Sequence, residues 1–331
     1  MDTHIILCPG QGAQTLGMAK AWFDASPEAK SIFERADAVL GDSLGKPLST
    51  LCFEGPVETL NRTDVSQPAL FVAGAACLAG VCARLGTRLA AFPIAAAAGL
   101  SLGEYTALYA AGSLDFEAGL GLVVLRGRAM QEAAAAVPSS MVALIGGDEA
   151  QAEEVCDRAR EGEVLVCANF NAPGQIVISG SLGACERALE IAGELGLRAT
   201  QLAVAGAFHS PIMQPAADQL AKALAATTIL PPRVPVLSNV TGKPHQPEDD
   251  TIAASIGRRL TEQLTSPVRW EACCRWLLDS AAQISEAATP LVWAELSPGK
   301  TISGLMRRID RATKVRSYDN PEKIPHDLCQ S

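Results

Sequence analysis

The chain has 331 residues, 48% of them hydrophobic, 19% charged and 5% aromatic, which is apolar mass enough for one large domain or a large domain with a smaller one inserted. A formal net charge of −9 argues against general nucleic-acid affinity and leaves room only for a local basic patch that recruits an acidic partner. The ten cysteines include no CxxC spacing, so neither a zinc site nor a secreted disulfide framework is indicated, and buried thiols in a reducing, cytoplasmic setting are expected.

The N-terminus runs from MDTH straight into an apolar strand, Ile5–Cys8, and the turn Pro9–Gly12, without the basic and long apolar regions of a signal peptide. No apolar stretch of about 18 residues is free of charge, Gly and Pro, so no membrane span is expected. Helices are predicted over Met18–Ala25 and Ala29–Val39. Another is predicted over Gln67–Leu85, with Pro68 in its first turn, where a missing N–H costs little. A strand over Phe92–Ala98 leads to a helix over Gly103–Ala110, ended by Gly112, and Asp115 reads as the N-cap of a helix to about Ala134.

The pattern then changes to strand Met141–Ile145, helix Glu149–Arg160, strands Val164–Asn169 and Gln175–Ser179 around the turn NAPG, helix Leu182–Leu195 and strand Arg198–Val204. That order is the split βαβ, ferredoxin-like one. The expected organisation is therefore a discontinuous large α/β unit, 1–136 and 205–331, interrupted by a small α+β unit at 137–204. After Phe208 the first pattern resumes: helix Pro211–Ala226, strand Val234–Ser238, helices Ile252–Leu264 and Trp270–Ala282, strand Leu291–Glu295 and helix Lys300–Arg308. The end, Asn320–Ser331, is expected to be loosely held.

Gly99-Leu100-Ser101-Leu102-Gly103 sits where a strand meets a helix. A G-x-S-x-G there is the nucleophile-elbow pattern, in which a strained turn exposes the serine hydroxyl and the helix N-terminus aims N–H groups at the reacting centre. The five residues alone fit equally an ordinary glycine-rich turn capped by Ser101. The preceding strand, the following helix and a second donor source in Gly10-Gln11-Gly12 favour the elbow. A serine nucleophile needs a base, and the chain has four histidines. His4 begins the first strand, His245 lies in a Pro- and Asp-rich loop, and His326 is in the tail. His209, between a strand and a helix in GAFHSPIM, is left by elimination, against the alternative of a purely structural histidine.

The ordered segments GQGAQ, GLSLGEY, LRGRAMQ, NFNAPGQ, AFHSPIM, QLTSPVRW and ELSPGK together resemble the malonyl-CoA:acyl-carrier-protein transacylase family over about residues 4–316. The resemblance implies a hydrolase-like large domain with a parallel sheet and an inserted ferredoxin-like subdomain. It implies Ser101 as the acyl-accepting nucleophile, His209 as base and then acid, and the main-chain carbonyl of Gln263 as the group that orients His209. The backbone N–H groups of Gln11 and Leu102 would form the oxyanion hole, with donors of this kind worth roughly 3–4 kcal/mol each. Arg126 would fork onto the free carboxylate of malonyl and so reject acetyl groups; the alternative is a surface arginine, although Val123, Arg126 and Met130 share an apolar face while Arg128 points elsewhere with Glu132.

Asn169 and Gln175 would line the acyl cleft, or serve only the NAPG turn. Phe208 resembles the bulky residue that goes with malonyl preference. Leu100 departs from the family pattern, which has histidine before the serine; it reads as an apolar packing residue beside the cleft. The implied activity is transfer of malonyl from malonyl-CoA to the phosphopantetheine thiol of an acidic acyl carrier protein, in fatty acid biosynthesis, with no metal or organic cofactor. Lys300, Arg307, Arg311 and Lys314 are candidates for carrier docking, the last three on one helical face; a solvated charged face is the alternative. A cytoplasmic monomer with no nucleic-acid or membrane partner is expected. The competing functions are an acyltransferase of different acyl selectivity, a trans-acting polyketide loader, a serine thioesterase, and a catalytically silent carrier-binding protein.

Overall fold

The computed structural model describes residues 2–247, 250–284 and 291–324. Among these, eight strands form two sheets: β1 (Thr3–Cys8), β2 (Ile94–Gly99), β3 (Ser139–Ile145), β4 (Leu165–Ala172), β5 (Gln175–Ser181), β6 (Arg198–Gln201), β7 (Leu291–Glu295) and β8 (Val315–Ser317).

The first sheet is parallel throughout, in the order β2-β1-β7-β8. Strands β1 and β2 are buried on both faces, as a sheet covered by helices on both sides requires: every residue of β2 is buried, and so is β1 from His4 to Cys8. The helix Thr63–Arg84 is long and apolar enough to span a membrane, but 94% of its apolar window is buried in the interior, where it packs on helices Pro27–Leu40 and Phe116–Ala136. Pro68 is the sixth residue of this helix rather than in its first turn, because the helix begins at Thr63. Pro68 therefore withholds an N–H from the carbonyl of Asp64.

The second sheet is antiparallel, in the order β4-β5-β3-β6, with helices Glu149–Arg160 and Leu182–Glu194 packed on it around their own apolar cluster. In sequence order its strands are arranged 2-3-1-4, the ferredoxin-like topology. The helix Glu149–Arg160 starts at a complete capping box between Asp148 and Gln151.

Three elements differ from the sequence reading. Val234–Ser238 is not a strand; Val236 makes a single parallel bridge to Ala97, because Pro235 has no N–H and only its carbonyl and the Leu237 N–H reach Ala97. The final helix runs Thr301–Ile309 and stops there, since the Asp310 carboxylate takes the backbone N–H groups of Ala312 and Thr313 in a turn. Arg311 and Lys314 thus lie beyond the helix and share no helical face with Arg307. Near the end of the chain a 3₁₀ turn, Pro321–Lys323, is followed by a buried Ile324, so this part of the segment expected to be loose is packed; residues 325–331, including His326, lie outside the described residues.

Candidate active site

The site sits at the carboxyl ends of β1 and β2, the edge of a parallel sheet where ligands bind. The chain leaves β1 through Gly10-Gln11-Gly12 and leaves β2 through Leu100-Ser101-Leu102 into helix Gly103–Ala110. The two turns are pressed together. The Leu100 N–H donates to the Cys8 carbonyl at 3.0 Å, and a Cβ at Gly10 would lie 2.2 Å from the Leu100 carbonyl oxygen. The two glycines of the elbow serve the same purpose: a Cβ at Gly99 would lie 1.8 Å from the carbonyl carbon of Gly103, and one at Gly103 would lie 2.1 Å from the Cys8 oxygen. Close approach therefore demands both glycines, while the backbone strain falls on Ser101 itself, at φ 52°.

The Ser101 Oγ lies 2.9 Å from Nε2 of His209, and Nδ1 of that ring lies 2.7 Å from the main-chain carbonyl of Gln263. A carbonyl only accepts, so the proton is on Nδ1 and the Nε2 lone pair faces the serine hydroxyl. His209 is also held at positive φ, 58°. Its pKa is pushed down to about 4, first by burial, next by the positive charge of Arg126, against the raising effect of the Gln263 carbonyl. The neutral ring is thus the resting form.

The Ser101 N–H is taken by the side-chain oxygen of Asn239 at 2.6 Å. Among the described residues the N–H groups of Leu102 and Gln11 make no protein hydrogen bond; Leu102 directly follows the serine, and Gln11 lines the same cavity as the serine. The Gln11 side chain reaches away to Thr63 at 3.3 Å.

Arg126 is 1% exposed, yet it has no carboxylate partner among the described residues. It donates from Nη1 to Gln67 Oε1 at 2.7 Å, and from Nη2 to Gln263 Oε1 at 2.9 Å and Ser101 Oγ at 3.1 Å, while its Nε has no partner. Burial lowers its pKa, as expected for a cation surrounded by neutral acceptors. Arg128, two residues on, is exposed and lies 3.7 Å from Glu132.

A cavity of about 440 Å³ opens onto the serine, and Gln11, Leu100, Ser101, Asn169, Gln175, Phe208 and His209 all line it. Arg126, Leu102 and Gln263 do not line it; they form the layer behind Ser101 and His209. The side chain of Leu100 packs against an apolar cluster that includes Trp293 and Leu305, and Leu305 lines the cavity with it. A larger groove, about 620 Å³, runs past Phe170, Arg269 and Arg275 and contains none of these residues. Lys300 is exposed next to Thr301, which lines the cavity; Arg307, Arg311 and Lys314 are exposed further along.

Sequence reasoning missed Glu104, Asn239, His245 and Gln67. Glu104 is three residues after Ser101, one helical turn below it, so the string GLSLGE did carry that signal. Asn239 and His245 come from a loop more than 130 residues away, and no local pattern marks them.

A serine hydroxyl on a strained strand-to-helix turn, a neutral imidazole accepting from it and free N–H groups beside it form a centre suited to acyl transfer. Residues 5–304 match the acyl transferase domain family, and the chain is a member of that family. A malonyl CoA-acyl carrier protein transacylase of Bacillus subtilis is 40% identical over 98% of this chain and 96% of its own length. The crystal structure of a malonyl-CoA:acyl carrier protein transacylase from Xanthomonas oryzae pv. oryzae superposes with a TM-score of 0.86 at 40% identity, covering 98% of this chain and 96% of that one. A malonyl-transacylase solved in complex with a type II polyketide-synthase acyl-carrier protein matches with a TM-score of 0.85 at 34% identity, over 97% of both chains.

Proposed function

We propose that this acyltransferase is a malonyl-CoA:acyl-carrier-protein S-malonyltransferase, which supplies malonyl-carrier for fatty acid biosynthesis. The observation that carries this reading is the contact of Ser101 with both His209 and Arg126, the latter a buried cation without a carboxylate partner among the described residues.

Ser101 Oγ attacks the thioester carbonyl as His209 Nε2 takes its proton. The tetrahedral oxyanion lies against the N–H groups of Gln11 and Leu102. Collapse breaks the carbon–sulfur bond, and His209 returns the proton to the departing CoA thiol. The carrier's phosphopantetheine thiol then gives its proton to His209 and attacks the malonyl-serine ester; collapse breaks the bond from the carbonyl carbon to Ser101 Oγ, and His209 returns the proton to that oxygen. The Gln263 carbonyl holds the imidazolium that forms transiently, so no third carboxylate is needed.

Arg126 takes the free carboxylate of malonyl in exchange for the neutral acceptors Gln67, Gln263 and Ser101. Acetyl brings no carboxylate and gains nothing from this cation. Phe208, Asn169, Gln175 and Leu100 shape the acyl cavity. Lys300 and Arg307 dock the acidic carrier near the cavity mouth, with Arg311 and Lys314 extending the basic surface; none of the four is in an ion pair among the described residues. Residues 137–204, which carry the second sheet, act as an inserted subdomain that closes one wall of the cavity with β4 and β5.

Incubation with malonyl-CoA and holo carrier protein tests the reading. Malonyl-carrier should accumulate with the native chain and not with Ser101→Ala; equal accumulation in both overturns it.

A further inference from the structure

Glu104 is fully buried, and its Oε1 lies 2.8 Å from Nε2 of His245. Its Oε2 accepts two more N–H groups, the backbone N–H of Asn239 at 3.0 Å and Nε2 of Gln263 at 2.7 Å. Both of these donors go on to hold the reacting groups. Asn239 spans the elbow: its side chain accepts from the Ser101 N–H at 2.6 Å and donates to the Gly99 carbonyl at 2.7 Å. Gln263 accepts from His209 through its carbonyl, accepts from Arg126 through Oε1, and donates through Nε2 to the Ser101 carbonyl at 3.1 Å. One carboxylate that makes no hydrogen bond to Ser101, His209 or Arg126 is therefore one bond removed from all three.

We propose that Glu104 is a positioning residue: its two oxygens, acting through Asn239 and Gln263, fix the relative placement of Ser101, His209 and Arg126, and with it the preference for malonyl over acetyl. This rests on the malonyl-transfer reading above. The physical reason for a carboxylate is its capacity. Three N–H donors converge on it, and no neutral side chain accepts from all three with both oxygens. A shift of the acceptor by about 1 Å is enough to cost roughly 100-fold in an acyl-transfer step.

The test compares Glu104→Ala, Glu104→Asp and Glu104→Gln. The rates of serine acylation by malonyl-CoA and by acetyl-CoA are followed by intact mass and normalised to the fraction of protein that can be acylated. Removing both oxygens with alanine should slow malonyl loading about 100-fold and reduce the malonyl-to-acetyl rate ratio about tenfold. Aspartate keeps the charge but withdraws the oxygens by one methylene, so it should move both readouts the same way by a smaller factor, and it serves if the alanine variant does not fold. Glutamine can leave its oxygen on Asn239 and Gln263 but offers His245 an N–H in place of an acceptor, so it should restore only part of both. Val155→Ala, a truncation in the apolar cluster of the second sheet, controls for lost stability and should leave the ratio unchanged. A ratio unaltered in the alanine and aspartate variants, with rates that follow thermal stability alone, overturns the proposal. Failure of the native chain to load malonyl would instead overturn the malonyl-transfer reading.

Discussion

Arg126 donates through Nη2 to the Oγ of Ser101 at 3.1 Å, so a buried cation and the proposed nucleophile share one hydrogen bond. Among the described residues the guanidinium hydrogen-bonds to neutral groups only: Gln67, Gln263 and this serine. It thus has a positive charge to spend on an arriving carboxylate, and it sits beside the atom that attacks.

Arg126→Ala is expected to lower kcat/KM for malonyl-CoA by about 10- to 100-fold, the worth of a charge-assisted hydrogen bond, while acetyl-CoA loses far less. Arg126→Lys should recover little, because a point charge does not reproduce the fork. Steady-state kinetics with both donors decide this, and an unchanged malonyl-to-acetyl ratio would remove the arginine from substrate selection.

The acid limb of the pH profile follows from His209. The base must be neutral, and its pKa is held down to about 4 by burial and by Arg126. Acylation by malonyl-CoA, measured as kcat/KM, should stay level from neutral pH down to roughly pH 5, reach half near pH 4 and approach a tenfold fall per unit below that. A bound malonyl carboxylate offsets the charge of Arg126, so the limb in kcat should lie at higher pH than the limb in kcat/KM. A free-enzyme limb near the ordinary histidine value, 6.5, would contradict the burial argument.

Asn239→Ala removes the acceptor of the Ser101 N–H and leaves that donor and the Gly99 carbonyl buried without partners. The loss of stability should be about 1–3 kcal/mol, read from denaturant unfolding. The elbow at φ 52° also loses its clamp, so the acylation rate should fall with little change in KM. A variant with native stability and rate would show that the clamp is dispensable.

Gly99→Ala should be among the most damaging single-methyl additions in the chain, since the new carbon would meet the Gly103 backbone at 1.8 Å. Backbone there cannot move without shifting Ser101, so overpacking of at least about 1–3 kcal/mol is expected along with loss of acylation. Gly121, where nothing lies within 4 Å, is the control position for the same substitution and should retain activity.

Much of the site was legible because its parts lie in local motifs. Ser101 and Gln11 each follow an apolar strand, and His209 remained after the other histidines were placed. The structure places Ser101, Gln11 and His209 on one cavity, while Arg126, Leu102 and Gln263, named with them, lie outside its lining. What stayed hidden depends on distance along the chain: the Asn239 bond to Ser101 spans 138 residues, and the Glu104 bond to His245 spans 141. No periodicity reports such a contact. The glycines of the elbow were legible as residues but not as causes, because a close approach leaves no mark on the sequence of the turn. In the fold, the short helices Leu48–Phe53 and Val57–Leu60 escaped notice because so few turns show no period, and Pro68 misled by resembling a first-turn proline. The basic stripe failed as a helical face for a local reason, the Asp310 turn that ends the helix.

The most direct measurement is the intact mass of the chain after brief exposure to malonyl-CoA, with acetyl-CoA and methylmalonyl-CoA in parallel, followed by addition of holo carrier protein. The account predicts a malonyl adduct on Ser101, absent in Ser101→Ala, that is discharged onto the carrier faster than it is lost to water. An adduct that hydrolyses before the carrier can take it, or a serine that no donor acylates, would contradict it.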